Sequence, residues 1–368
     1  MKRKILIPLA ILVVIIAAIA IYFTQKPKEP ETIKIGAILP LTGNNAWFGE
    51  HARNSLILLE EEINSQNKLL EIVIYDSKTD PKEGLNAYRK MILDKITRCY
   101  VGLDPVAKTI VPNIEKDNVV MFVGSVDNDI AKMSKNLFRL YYGFRNESVA
   151  ESEFLIKKGV KSVSMLLRDV GVIKKYKEEF LGNNLKQNGI TIKRIEYFDP
   201  TTKDFRTLLT KILTDRPDAI VMSEYGAFYP TIFKHLRSLT SSPPIILGGL
   251  GMLNVKEEDF PLYEGVIFTA PAYFFISDSI SDFRNKYIKR FGIPPTYEAY
   301  YAYDAVKTLY LAIKNSDGTT KGIRKYILEN QFKGVSQPVI KFDKDGDLDV
   351  SVVFKTFKGG KIVDYKFK

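Results

Sequence analysis

Residue types that carry out catalysis or bind metals are sparse in this sequence. Cys99 is the single cysteine, and the two histidines, His51 and His235, lie far apart along the chain. A structural zinc site needs clustered pairs of such ligands, so no metal is predicted. The sequence also lacks a P-loop, a complete dinucleotide fingerprint and a serine-nucleophile elbow. These patterns predict a protein that is not an enzyme and needs no cofactor.

One acidic run superficially resembles a calcium-binding loop. Residues 343–349 read DKDGDLD, but the twelfth position, where such a loop places a glutamate, holds another residue. Short apolar runs flank this segment, and Asp-Gly between two such runs is typical of a β-hairpin. We therefore predict a turn here and not a metal site.

The composition favours a folded protein of about two domains. The chain has 368 residues, of which 45% are hydrophobic and 26% are charged, and this length suits about two domains of ordinary size. The formal net charge is +11, but acidic residues are numerous and the basic ones are scattered along the chain. The surplus is interpreted as surface charge, and nucleic acid is not expected as a partner.

Short β-branched runs alternate with segments of helical apolar spacing, which is typical of a wound α/β fold with parallel sheets. Predicted strands cover residues 33–39, 71–75, 119–123, 162–167, 191–196, 219–223, 245–247 and 266–269. Predicted helices cover residues 48–64, 82–93, 147–158, 174–187, 205–213, 229–239, 281–290, 297–314 and 321–329. Short runs at 339–342, 350–357 and 361–365 then predict hairpin strands. Two wound lobes are expected, followed by a helical block and a hairpin.

The N-terminus predicts a membrane anchor. Lys2, Arg3 and Lys4 precede an uncharged apolar run over residues 5–23. At ~1.5 Å per helical residue this run can cross a hydrocarbon core of about 30 Å, and the positive charge before it directs the rest of the chain outward. A cleavable signal with a cleavage site at residues 18–20 is the alternative for residues 1–23. Residues 24–31 are polar and proline-bearing and predict an extended linker.

Residues 33–43 read IKIGAILPLTG, with AWFG at 46–49. This block, followed in order by two more, resembles the branched-chain (leucine/isoleucine/valine) amino-acid binding proteins of ABC transporters, which are type I periplasmic binding proteins. The second block, YDSKTDP at 75–81, is similar to the family's strand end and acidic residue before the second helix. The third block, YEAYYAYDAV at 297–306, resembles its late AYDA helix. The resemblance covers residues 32–368.

This resemblance implies two wound three-layer lobes joined by a three-segment hinge, the periplasmic binding protein-like I fold. Lobe one would hold residues 32–142 plus 272–330, and lobe two residues 143–271 plus 331–368. It also implies an extracytoplasmic protein that binds a small ligand between closing lobes and delivers it to an ABC permease. A sensory or regulatory ligand-binding domain that signals through a membrane partner is the alternative.

The resemblance places ligand contacts in the first loops of lobe one. Trp47 and Phe48 are expected to form an apolar wall of the cleft, with packing in the core as the alternative for Trp47. The family's carboxylate-binding loop aligns with residues 103–109, where serine is missing and Thr109 has the only hydroxyl. One end of the family's amino-acid clamp is therefore absent.

The next loop of lobe one adds Ser125, Val126 and Asp127 to the expected site. A negative charge on Asp127 or Asp129 would oppose a ligand carboxylate by roughly 1 to 4 kcal/mol at about 4 Å. Helix capping is the alternative role for Asp129.

Lobe two is expected to contribute Tyr225 and Phe228 as aromatic contacts, with an exposed turn as the alternative for Tyr225. The family's acid that pairs with the ligand ammonium aligns with Leu250, and an expected aromatic aligns with Ile173. Because leucine cannot pair with an ammonium, the cleft is predicted to keep the family's shape without its amino-acid clamp. We expect a ligand with an apolar or aromatic body and few polar groups, and weak binding of leucine.

Overall fold

Two sheets organise the part of the chain that the computed structural model describes, residues 32–272, 278–348 and 350–367. The strands are β1 (Ile33–Leu39), β2 (Leu70–Asp76), β3 (Arg98–Gly102), β4 (Val120–Gly124), β5 (Leu137–Arg139), β6 (Ser162–Arg168), β7 (Thr191–Phe198), β8 (Ala219–Ser223), β9 (Ile245–Gly248), β10 (Ile267–Pro271), β11 (Val352–Lys358) and β12 (Lys361–Asp364). The first sheet has the order β2–β1–β3–β4–β5 and is parallel. The second has the order β12–β11–β10–β9–β8–β6–β7, and among the named strands its β10–β11 and β11–β12 pairs are antiparallel while the others are parallel.

Helices fill the connections between the strands. They are α1 (Ala46–Ile63), α2 (Pro81–Leu93), α3 (Asp104–Ile114), α4 (Phe144–Lys157), α5 (Gly171–Ile173, π-helical Lys174–Leu181 and Gly182–Gln187), α6 (Arg206–Thr214), α7 (Tyr229–Leu239), α8 (Asp278–Phe291), α9 (Tyr297–Lys314) and α10 (Thr320–Glu329). Short 3-10 turns cover Asn128–Met133, Leu250–Asn254 and Glu257–Tyr263.

Each sheet is the middle of three layers, because its strands are apolar on both faces, as parallel sheets require. In β1, Ile35 and Leu39 face the layer formed by α1 and α9, whereas Ile38 faces α2 and α3. In the second sheet, Met165 of β6 packs with α4 and α5, and Leu166 packs with α6 and α7. The predicted pair of three-layer lobes is confirmed.

The chain crosses between the lobes after β5, after β10 and between Leu348 and Val352. The last crossing corrects the predicted boundary at residue 331, because residues 332–348 pack against the first sheet. Phe342 contacts Phe138 at a ring distance of 5.5 Å, and Asp347 pairs with Arg139 at 2.5 Å. Hereafter lobe one means residues 32–142 plus 278–348, and lobe two means residues 143–271 plus 352–364.

Three elements of lobe one were absent from the sequence prediction, namely β3, α3 and β5. The segment 103–109, expected to be a loop, belongs to α3 from Asp104 onward. Pro105 lies in the first turn of α3, where its missing N–H is not needed, and Pro112 lies inside the helix. Because proline is rare inside helices, these two prolines made the segment look non-helical in the sequence.

The acidic run near the C-terminus forms the predicted turn. Asp343 Oδ1 accepts hydrogen bonds from the backbone N–H groups of Asp345 and Asp347, both at 2.9 Å. The turn closes a bridge between Phe342 and Leu348. The Asp343 side chain therefore stabilises the turn by accepting backbone hydrogen bonds at its Oδ1.

The predicted anchor at residues 1–23 and the linker at 24–31 lie outside the described residues. Within residues 32–272, 278–348 and 350–367, no helix combines the length and the apolar character that a membrane crossing requires.

Candidate ligand-binding site

A cavity of about 420 Å³ lies between the two lobes, where the carboxyl ends of parallel strands from both sheets face each other. Ligands of open α/β sheets bind at such strand ends, since the loops there diverge and leave a crevice. Lobe one lines the cavity with Asn45, Trp47, Phe48, Thr79, Leu103, Asp104, Pro105, Val106, Lys108, Gly124, Val126, Tyr141, Tyr297 and Glu298. Lobe two lines it with Arg168, Val170, Gly171, Val172 and Tyr225.

The loop after β1 is held in place by Asp76 at the end of β2. Asp76 Oδ1 accepts a hydrogen bond from the backbone N–H of Leu41 at 2.9 Å, and Oδ2 accepts one from the Thr42 hydroxyl at 2.7 Å. Gly49 then lets α1 start against the end of β1, because a Cβ there would lie 2.2 Å from the carbonyl oxygen of Pro40. This anchoring fixes the backbone that carries Trp47 and Phe48.

Aromatic rings form much of the cavity wall. Trp47 and Phe48 meet edge to face with ring centroids 6.1 Å apart, and Tyr141 contacts Tyr297 in the same way at 5.8 Å. Tyr225 closes the cavity from lobe two. Such a wall suits the faces of an apolar or aromatic ligand.

Two acids of lobe one also line the cavity. Asp104 accepts a hydrogen bond from the Ser125 hydroxyl, and Glu298 Oε1 accepts one from the Tyr141 hydroxyl at 2.8 Å. Burial raises the pKa of Asp104 to about 7 and that of Glu298 to about 7. Both acids therefore change charge near neutral pH.

Arg168 is the cation that lobe two places in the cavity. Its Cζ lies 5.2 Å from the centroid of the Tyr225 ring and 5.6 Å from that of Phe228. Its buried Nε has no hydrogen-bond partner among the described residues. Burial raises the pKa of Glu224 to about 7, and the nearby positive charge of Arg168 opposes this rise. Glu224 Oε1 accepts the backbone N–H of Gly226 at 2.7 Å.

A cluster of charges, which we call the latch, connects the lobes beside the cavity. Lys175 of lobe two donates to Asp127 Oδ1 at 2.9 Å and contacts Asp129 Oδ2 at 2.7 Å, both in lobe one. The Tyr176 hydroxyl also donates to Asp127 Oδ1, at 2.6 Å. Arg145 adds a contact to Asp129 at 2.7 Å. The latch favours the closed arrangement of the lobes.

The structure brings together four of the residues predicted to bind ligand, since Trp47, Phe48, Val126 and Tyr225 all line the cavity. Trp47 and Tyr225 thus lie where the ligand hypothesis needs them, on opposite lobes. A role in binding for these four side chains stays a prediction.

The other three predicted residues of lobe one do not line the cavity. The Thr109 hydroxyl donates to the Pro105 carbonyl at 2.9 Å within α3. Ser125 is buried and donates to Asp104. Asp127 belongs to the latch, and Lys108 also contacts its Oδ2, at 2.7 Å.

The remaining predicted residues of lobe two also lie behind the cavity. Ile173 is buried in the core, and Phe228 packs against Phe198 with ring centroids 5.5 Å apart. Leu250 is buried, and its backbone N–H donates to Glu147 Oε2 at 2.8 Å. Leu250 therefore has a structural contact with α4 and no surface in the cavity.

Sequence reasoning missed Arg168, Asp104 and Glu298 as lining residues. Their positions at the ends of strands and helices could have indicated this role. Arg168 is the last residue of β6, and Asp104 and Glu298 lie in the first turns of α3 and α9. Charged residues at the carboxyl edge of a parallel sheet face the crevice. For Asp104 that signal depends on knowing α3, which was not predicted, whereas for Arg168 and Glu298 the predicted strand and helix already provided it.

The two facing lobes and their enclosed cavity define a two-lobe binding protein. The chain belongs to the periplasmic binding protein family, whose pattern matches residues 32–361.

Individual relatives agree with this assignment. The chain is 26% identical over 240 residues to the Leu/Ile/Val-binding protein BraC3 of Rhizobium johnstonii, a match that covers 62% of this chain and 64% of that protein. A leucine-binding protein from Thermotoga maritima superposes with a TM-score of 0.77 at 24% identity, covering 91% of this chain and 98% of the other. A solute-binding protein of an ABC transporter from R. palustris, in complex with benzoate, gives a TM-score of 0.80 at 17% identity, covering 91% and 95%. The two structural likenesses support the fold.

Proposed function

We propose that this protein is the extracytoplasmic solute-binding component of an ABC transporter, which holds a small ligand between its lobes and delivers it to a permease. The observation that carries the proposal is the cavity of about 420 Å³ between facing strand ends of both lobes. Small-molecule sites are typically about 300–1,000 Å³ and largely apolar, with a few placed polar groups. Membership of the periplasmic binding protein family supports the same function.

The ligand has an apolar or aromatic body. Trp47, Phe48 and Tyr225 offer ring surfaces from both lobes. The name of BraC3 gives leucine, isoleucine and valine as its ligands, and the R. palustris protein is in complex with benzoate. The ligands of both proteins thus have an apolar or aromatic body. None of the described lobe-two residues that line the cavity is acidic. The acids that line the cavity in the described part of the chain are Asp104 and Glu298 of lobe one, and burial raises the pKa of each to about 7. An amino-acid ammonium would therefore find no acid on lobe two and only partly charged acids on lobe one at neutral pH, and we expect weak binding of leucine.

Native mass spectrometry of the purified protein tests the function, because a ligand retained in the cavity would be identified by its mass. Isothermal titration with leucine, isoleucine, valine and phenylalanine tests the ligand class. Micromolar binding of any of these amino acids would contradict an apolar ligand without an ammonium. Failure to find any retained or titratable small ligand would contradict the function itself.

The N-terminal segment serves as an uncleaved membrane anchor in this proposal. The apolar run at residues 5–23 follows three basic residues, and the single cysteine, Cys99, is buried in β3, so no cysteine near that run can carry a lipid. N-terminal sequencing of the native protein would find the original start of the chain. A mature start just after Ala20 would instead indicate a cleaved signal and a released protein.

A further inference from the structure

We propose that Arg168 binds the carboxylate of the ligand, so that this protein recognises a small carboxylate with an apolar or aromatic body from lobe two. The inference rests on the proposed function and names the ligand class for that cavity. It places the anion-binding group on the lobe opposite to residues 103–109, the segment where the sequence resemblance placed it.

The first support is the position of Arg168. It is the last residue of β6, at the carboxyl edge of the second sheet, and it lines the cavity. Its guanidinium lies over the rings of Tyr225 and Phe228. Stacking on aromatic faces orients the planar guanidinium while its edge stays available to a carboxylate.

The second support is the balance of charges around the cavity. Lys108 pairs with Asp127 at 2.7 Å, whereas Arg168 forms no ion pair with any residue in the described part of the chain, and its buried Nε lacks a hydrogen-bond partner. Glu224 is close enough to feel the Arg168 charge, but no ion pair joins the two: Glu224 Oε1 accepts the backbone N–H groups of Gly226 and Phe228, and its Oε2 has no hydrogen-bond partner among the described residues. A half-buried guanidinium whose buried Nε is not hydrogen-bonded is stabilised by an anion that forms paired hydrogen bonds with it.

The third support concerns which anion fits. Asp104 and Glu298 face the same cavity, and their raised pKa values allow both acids to be neutral beside one negative charge. A phosphate would bring up to two charges to a site where Arg168 is the one unpaired cation among the described lining residues. A carboxylate brings one charge and matches the guanidinium in planar geometry. The aromatic wall then takes the apolar body of the ligand.

Matched pairs of carboxylates and their primary amides test this inference. The probes are benzoate, 3-phenylpropanoate and 4-methylpentanoate, each with its amide, measured by thermal shift and isothermal titration on the whole chain. At least one carboxylate is expected to bind, and its amide at least about tenfold more weakly. Arg168→Gln should lose at least about tenfold in affinity for that carboxylate, and Arg168→Lys should recover part of the loss.

Arg194→Gln is the matched control, because Arg194 lies on the same lobe and pairs with Asp215 at 2.6 Å away from the cavity. Circular dichroism of each variant without ligand checks that it folds, and Arg168→Lys keeps the test valid if Arg168→Gln unfolds. Equal affinity for carboxylate and amide, an Arg168 variant that binds as well as the control, or no binding of any carboxylate probe would overturn the inference. If native mass spectrometry then finds a neutral or cationic ligand, the proposed function stands and the role of Arg168 falls.

Discussion

Removing the amino group of Lys175 should shift the protein toward an open arrangement of its lobes. Lys175 contacts Asp127 at 2.9 Å and Asp129 at 2.7 Å across the cleft. Burial lowers the pKa of Lys175, but its hydrogen bonds to these two acids raise that pKa by more. Lys175 therefore stays charged at neutral pH. Lys175→Gln keeps the length of the side chain and removes the charge.

The expected size of the effect follows from the exposure of the pairs. The Lys175 side chain is 38% exposed, whereas that of Asp127 is 3% exposed. Half-exposed ion pairs contribute about 0.2–1 kcal/mol each, so two such pairs give about 0.4–2 kcal/mol. At about 1.4 kcal/mol per tenfold, the equilibrium constant for closing should fall about two- to thirtyfold, and the affinity for a ligand bound between the lobes should fall by up to the same factor.

Small-angle scattering of the ligand-free protein measures the opening, and isothermal titration measures the affinity. The wild-type protein should become more compact when ligand binds. The radius of gyration without ligand should be larger for Lys175→Gln than for the wild type, and raising the salt from about 0.02 M to about 0.5 M should reduce this difference.

Lys174→Gln is the matched control, because Lys174 pairs with Asp169 at 2.6 Å within lobe two. It removes the same charge from the same helix without touching lobe one. If both variants have the same radius of gyration and the same affinity, the reasoning about the latch is refuted.

Two further predictions concern buried charges. Lys177 pairs with Glu147 at 2.5 Å and Glu151 at 2.6 Å, and all three side chains are fully buried. Lys177→Met leaves the two acids without this cation. It should therefore lower the free energy of unfolding, measured by urea denaturation, by about 3–5 kcal/mol. Replacing all three with neutral residues should cost less, and an equal loss would count against this account. In the cavity, Asp104 and Glu298 gain negative charge as the pH rises through their pKa values of about 7. Affinity for a carboxylate probe should therefore fall between about pH 6 and about pH 8 in titration calorimetry, and a flat profile would contradict it.

The cavity wall was partly predictable from the sequence. Trp47 and Phe48 follow a strand whose apolar pattern is strong, and Tyr225 follows β8 in the same way. A residue just beyond a buried parallel strand lies at the carboxyl edge of the sheet, so its position near the crevice follows from local pattern. Leu250 and Ile173 were expected in the cleft on alignment alone, and both are buried in the core.

The fold class and the order of the two wound lobes could be predicted from the sequence, because the alternation of strands and helices depends on periodicity within short segments. Which charges meet depends instead on how remote segments fold together. Asp127 and Lys175 are 48 residues apart, yet they pair across the cleft, and residues 332–348 join lobe one through Asp347 and Arg139. Arg168 has no ion-pair partner in the part of the chain that the structure describes, and no sequence pattern indicated this. Ion pairing depends on distances of a few ångströms between remote segments, and local sequence patterns do not encode them.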